Sequence, residues 1–227
     1  MTRAAPDTIS PATQRSILLL SLGTFASMAA QRICDAMLPE LSRVFDVGLA
    51  QAAQVVSIFA ITYGIAQLFY GPLGDRLGKF RVITYAALFG CVASLVAVFS
   101  HSLDMLLFAR VLMALGAAAL IPLAMAWVGD TVPASQLQEM LTRTGLGSTM
   151  GIVGGQLAGG LLTDMLGWRW AFAFMTVLFG VVGTLMHADL RRQRRAAPPL
   201  APASGNKAAV QRDGFIRPAL RIMTGEW

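Results

Sequence analysis

Charge is in short supply in this sequence. Asp, Glu, Lys and Arg make up 13% of its 227 residues, against roughly 25% in an ordinary soluble domain. That shortage excludes a globule wetted on every side, while 56% apolar residues exclude a disordered chain, which needs the opposite balance. Cysteine is scarcer still, with two residues. Cys34 and Cys91 both sit in apolar runs, so they make no disulfide scaffold and report no redox compartment. Two histidines, His101 and His187, are too few and too scattered to join them in a metal cluster. No metal and no cofactor is implied, and the mean hydropathy of +0.62 points to lipid as the main solvent.

The gaps between charges outline the fold. No Asp, Glu, Lys or Arg occurs in 16–31, 47–74, 82–103, 111–129, 144–163 or 170–188. A helix needs about 20 predominantly apolar residues to cross the hydrocarbon core, and each gap supplies nearly that many or more; the first does so by running on through Arg32 and Asp35. The gaps predict six transmembrane helices near 16–38, 50–71, 81–100, 105–127, 143–165 and 170–188. Barrel strands take about 10 residues of alternating polarity, which these runs do not show. The expected class is an all-α polytopic membrane protein.

Basic residues set the orientation. With the N-terminus inside, the inner segments hold Arg3, Arg15, Arg76, Lys79, Arg81, Arg143 and the tail, and the outer loops only Arg43 and Arg169. Both termini are then cytoplasmic, with a segment 1–15, a bundle 16–188 and a basic tail 189–227. The tail carries eight Lys/Arg against three Asp/Glu, five of the six net positive charges. It suits an anionic leaflet, and no aromatic residue interleaves with Arg191, Arg192, Arg194 and Arg195 as a nucleic-acid surface would require. The Pro-, Ala- and Ser-rich stretch 189–214 reads as a flexible linker. Ile216, Leu220, Met223 and Trp227 beyond it recur at helical spacing, as in a surface-lying amphipathic helix or a frayed end. The first span resembles a signal peptide in its basic flank, but its apolar run is too long and continues towards Leu38.

Short motifs carry the functional signal. Between the second and third spans lies Gly71-Pro-Leu73-Gly74-Asp75-Arg76-Leu-Gly78-Lys79-Phe80-Arg81, which resembles the cytoplasmic loop signature of the major facilitator superfamily, Phe80 standing where a basic residue is usual. Leu106-x-x-x-Arg110 followed by Gly116-Ala-Ala resembles a second pattern of that family. Gly151-x-x-x-Gly155-Gln156-x-x-Gly159-Gly160 is similar to its antiporter signature, with Gln156 in place of proline. Trp168-Arg-Trp170 and Asp35-x-x-x-Pro39 are similar to patterns of its drug–proton antiporters.

The resemblance implies two inverted three-helix repeats forming the N-terminal half of a twelve-helix transporter, placed in the cell membrane, the inner membrane of a bacterium. The implied activity is proton-coupled efflux of small amphipathic or sugar-like molecules by alternating access. The chain would be a truncated or split half, with a second half or another copy as partner. Arg110, Asp35 and Arg32 lie within apolar spans, where an ionised group costs at least about 3 kcal/mol unless paired or hydrated. Matching depths allow an Asp35–Arg110 pair for proton coupling, and Gln156 and Gln67 join Gln31 as candidate cavity contacts. Gly71, Leu73, Gly74, Asp75, Arg76, Gly78, Lys79 and Arg81 would form a conformational latch, or a solvated loop that fixes topology alone. Gly151, Gly155 and Gly159 form a small-residue stripe for close helix packing. The alternative is a six-helix membrane protein without transport activity of its own. No residue is assigned a catalytic role, because Ser148-Thr149 lacks the Gly-x-Ser-Gly of an intramembrane protease.

Overall fold

A computed structural model describes residues 9–196, and within them the chain is all helical. Residues up to Gln193 belong to one compact unit; of the second, Arg194–Trp227, the described residues 194–196 end the last helix. The proposed helix beyond residue 214 lies outside the described residues.

Helix α1 (Pro11–Arg32) begins five residues earlier than the charge gap predicts. Ser10 caps it, its hydroxyl accepting the Thr13 amide at 3.2 Å, and Pro11 supplies a preset φ where no amide is needed. It stops at Arg32 rather than Leu38. Pro39 has no N–H for the Asp35 carbonyl and its ring crowds that carbonyl, so 33–37 turn and Pro39 opens α2 (Leu38–Val44) instead. Helices α3 (Leu49–Ala52) and α4 (Gln54–Leu77) follow. Helix α4 continues through Pro72 to Gly78, whose φ of 91° breaks it. Helix α5 (Lys79–Val98) starts on the next residue. The expected fourth span divides into α6 (Leu103–Ala118) and α7 (Leu120–Thr131), the break falling where Pro122 leaves the Ala118 carbonyl without its donor.

Helix α8 (Ala134–Leu166) and α9 (Trp168–Ala196) are 33 and 29 residues long, both longer than the spans expected. A charge-free gap marks the apolar edge of a helix, and helices run past that edge. Arg143 and Glu139 pair at 2.7 Å one turn apart on α8, stabilising such an extension. Residues 189–196, expected as the start of a linker, are the last turns of α9. Four stretches, Leu49–Leu77, Lys79–Val98, Leu103–Thr131 and Trp168–Gln193, are long and apolar enough to cross a membrane. Helices α1 and α8 are long enough but more polar, being rich in Ser, Thr and Gly.

Those small residues are used in packing. A Cβ on Gly155 would lie 2.6 Å from Ala29 Cα; on Gly147, Gly151 and Gly159 it would overlap the carbonyl oxygens of Ser21, Phe25 and Ile33. Both series ascend in steps of four, so α1 and α8 run parallel with their backbones in contact along three turns. Gly90 and Gly116 likewise let α5 and α6 cross closely, a Gly116 Cβ falling 2.9 Å from Gly90 Cα. The core between the rods holds Leu20, Phe59, Met113, Phe172 and Phe179. The outside is apolar too: Leu68, Phe69 and Met165 are each about two-thirds exposed or more, as suits walls that face lipid or another bundle.

One end of the unit is tied by a buried carboxylate. Asp189 on α9 is 5% exposed and accepts from Ser16 Oγ at 2.8 Å and Gln193 Nε2 at 2.9 Å. Arg15 approaches it to 3.3 Å, so the start of α1 is held to the end of α9.

Candidate functional site

Arg110 is the largest fully buried side chain of the described residues. The α6 backbone carries it between α1 and α4, where Nη1 donates to the Ala30 carbonyl at 2.8 Å and Nε to the Val55 carbonyl at 2.9 Å. Ala30 lies in the last turn of α1, whose carbonyls lack intrahelical donors and form the negative end of the helix dipole. A guanidinium suits that position, and it also sits 4.1 Å from the centroid of Phe59, a cation–π contact. Nη2 is buried with no hydrogen-bond partner. Nearby, Ser27 donates to the Ala117 carbonyl at 2.9 Å and lies 3.3 Å from the Tyr63 hydroxyl. A polar knot thus joins α1, α4 and α6 inside an apolar bundle.

The depth-matched Asp35–Arg110 pair does not form. The turn at 33–37 takes Asp35 off the helical path assumed for it. It pairs instead with Arg32 at 3.3 Å and lies 3.5 Å from Gln156 Nε2 on α8. Side-chain exposures of 44% for Arg32 and 24% for Asp35 put this trio at the surface of the α1–α8 pair. Gln67 is exposed on α4, one turn beyond Tyr63. The candidates therefore divide into a buried arginine knot and a surface trio.

The stretch expected as a loop is mostly helix. Gly71, Leu73, Gly74, Asp75 and Arg76 occupy the last two turns of α4, Gly78 is the break, and Lys79 and Arg81 begin α5. Gly74 is needed for contact with α7, since a Cβ there would lie 2.5 Å from Leu123 Cδ2. Asp75 pairs with a neighbouring cation, Lys79, at 3.1 Å, and Lys79 also bonds Asp130 at the end of α7. One ammonium thus bridges two carboxylates from two helices. Asp130 carries no signal in the sequence, because it stands in a break between spans with no patterned neighbour. Gly147 extends the stripe 151–155–159 one step back, with the same close approach to α1.

Comparison with known proteins places this architecture. The family model of the Major Facilitator Superfamily matches residues 20–225. The chain belongs to the Major Facilitator Superfamily. Among its superfamily relatives, Multidrug resistance protein D of Escherichia coli K12 is 30% identical over 162 residues, covering 71% of this chain and 41% of that protein. Riboflavin transporter RibZ of Clostridioides difficile is 24% identical over 170 residues, 75% of this chain and 37% of its own length. Multidrug export protein EmrB of Escherichia coli K12 is 27% identical over 177 residues, 78% and 34% of the two chains. The chain spans less than half the length of these relatives. A solved superfamily structure, a bacterial homolog of the human lysosomal transporter Spinster in an inward-facing, unoccupied conformation, shares the fold. Its TM-score is 0.67 at 19% identity, over 96% of this chain and 50% of that one. The protein is therefore a multi-pass membrane protein of a transporter superfamily.

Proposed function

We propose that the chain is the N-terminal six-helix half of a proton-coupled exporter of small molecules, working by alternating access with a second half or another copy, in a bacterial inner membrane with both termini inside. Orientation is supported by where basic residues gather in space. The Asp189 clamp and the 6.1 Å approach of Tyr85 to His187 bring Arg15, Arg81 and Arg191 to one end, with Arg143, whose carbonyl faces Ser21. Arg43 and Arg169 lie towards the other end, where Phe45 packs on Trp168 at 5.5 Å. Export is favoured by the names of two relatives, a multidrug resistance protein and a multidrug export protein.

Arg110 carries the reading. It is a buried cation with two donors fixed on helix backbones and one nitrogen, Nη2, without a hydrogen-bond partner, rather than a cation locked to a carboxylate. In this reading the knot senses protonation or substrate as α1 and α4 shift against α6. Arg32, Asp35, Gln156 and Gln67 line the path, and the Asp75–Lys79–Asp130 bridge steadies one end state.

The test is dye transport in inverted vesicles with a second half supplied. Uptake of a fluorescent lipophilic cation should require a proton gradient and fall at least tenfold in Arg110→Ala. Gradient-independent uptake, or an active Arg110→Ala, would sink the coupling claim. No transport by an intact two-half assembly would favour a non-transporting membrane subunit.

A further inference from the structure

A groove of about 320 Å³ runs along the outside of the bundle between the end of α4 and the start of α5, bounded by Tyr70, Leu73, Leu77, Val82 and Phe89. Its walls are apolar, but Arg81 lines it. The sequence places Arg81 there by a one-residue displacement. Phe80, its neighbour, is buried at 5% exposure and packs on Trp127 of α7 at 5.7 Å. Arg81 itself is exposed, about 100° further round the helix, since 3.6 residues make a turn.

The surrounding charges leave Arg81 uncompensated. Asp75 and Asp130 are both held by Lys79, and Arg81 has no hydrogen-bonding or ionic partner among the described residues. Tyr85, one turn further along α5, also lines the groove. Its ring meets His187 of α9, whose Nε2 accepts from Arg191 Nε at 2.8 Å, so a second cation stands beyond that rim. A long apolar slot with a free guanidinium at its mouth is complementary to a molecule with an acyl chain and an anionic head.

We propose that this groove binds one acidic glycerophospholipid, its acyl chain along Leu73, Leu77 and Phe89 and its phosphodiester against Arg81. Basic pockets between membrane helices recognise anionic headgroups in this way. The proposal does not depend on transport; it needs only that the outer faces of α4 and α5 meet lipid.

Native mass spectrometry of the purified full chain tests it, with phosphatidylglycerol and phosphatidylcholine of identical acyl chains added in equal amounts. Wild type should retain phosphatidylglycerol about fivefold better, the order expected of one basic residue at an anionic surface. Arg81→Gln should abolish that preference while Arg76→Gln, exposed in the same stretch but outside the groove, keeps it. Phe89→Gln should lower retention of both lipids. Helical circular dichroism and a monodisperse elution profile establish that each variant is folded. Equal retention of the two lipids by wild type would overturn the proposal, as would equal losses in the two arginine variants. Displacement of the lipid by excess inorganic phosphate would also overturn it, by showing an anion site without an acyl requirement.

Discussion

At the scale of the residue, Arg110 and Asp189 solve one problem from opposite sides. Each is an ionisable group out of water, and each is kept there by hydrogen bonds rather than by a simple ion pair. Arg110→Ala leaves the Ala30 and Val55 carbonyls without their guanidinium donors, at about 1 kcal/mol or more for each buried group. The expected loss is about 2–4 kcal/mol, seen as a lower unfolding midpoint in detergent micelles, with Arg110→Lys recovering part of it through one bond. Asp189→Asn keeps an acceptor for Ser16 and should cost about 1 kcal/mol, whereas Asp189→Ala should cost about 2–3 kcal/mol in the same assay. The Arg15 contact adds little, since Arg15 is 40% exposed and its attraction is screened. Sequence spacing exposed Arg110 because an arginine inside an apolar span is conspicuous. It did not expose Asp189, which looks like the first residue of a charged tail until α9 is seen to continue past it.

At the scale of the element, the glycines of α8 are not interchangeable. Gly155→Ala places a methyl group 2.6 Å from the Ala29 backbone, where nothing flexible can yield. Overpacking of that kind costs about 1–3 kcal/mol. Gly145→Ala is the contrasting case: the nearest atom to its Cβ is Met125 Cε at 3.9 Å. It should be neutral or stabilising by up to about 1 kcal/mol through helix propensity. Denaturation of the two variants side by side checks the difference. Repeated glycines made this stripe legible in the sequence, and apolar runs made the rods legible. Helix ends were not, because a local event decides them. The Ser10 cap, the crowding of Asp35 by Pro39 and the positive φ at Gly78 act over a few residues, with no trace in hydropathy. Misplacing the end of α1 also misplaced Asp35, and with it the expected partner of Arg110.

At the scale of the whole molecule, the reading rests on which end faces inward. Single cysteines introduced at Thr13 and Arg192, in a background lacking Cys34 and Cys91, should react with a membrane-impermeant maleimide only after the cells are opened. Cysteines at Arg43 and Ser102 should react in intact cells. The reverse pattern would overturn the orientation, and labelling of all four in intact cells would argue against a sealed bundle of six. The family was legible because its signature stretch, residues 71–81, falls in the break between the second and third expected spans. The arrangement of those motifs was not. The bridge from Asp75 through Lys79 to Asp130 joins residues 55 positions apart, a distance that a local pattern does not cover.

The parallel seam between α1 and α8 has an asymmetry with a genetic consequence. Its four positions of closest approach on α8 are glycines, while the atoms they meet on α1 are chiefly backbone, common to all amino acids. A saturating mutational scan would therefore see the contact from one side. Substitutions at Gly147, Gly151, Gly155 and Gly159 would be rejected almost regardless of chemistry. Changes at Ser21 and Phe25 would leave those backbone contacts in place and be read only through their side chains, Ser21 Oγ towards the Arg143 carbonyl and the Phe25 ring beside Gly154. Paired searches for compensating mutations should rarely succeed across the glycine contacts, since no smaller residue exists on one helix and, on the other, the Thr24 hydroxyl beside Gly147 is an exception among mostly backbone neighbours.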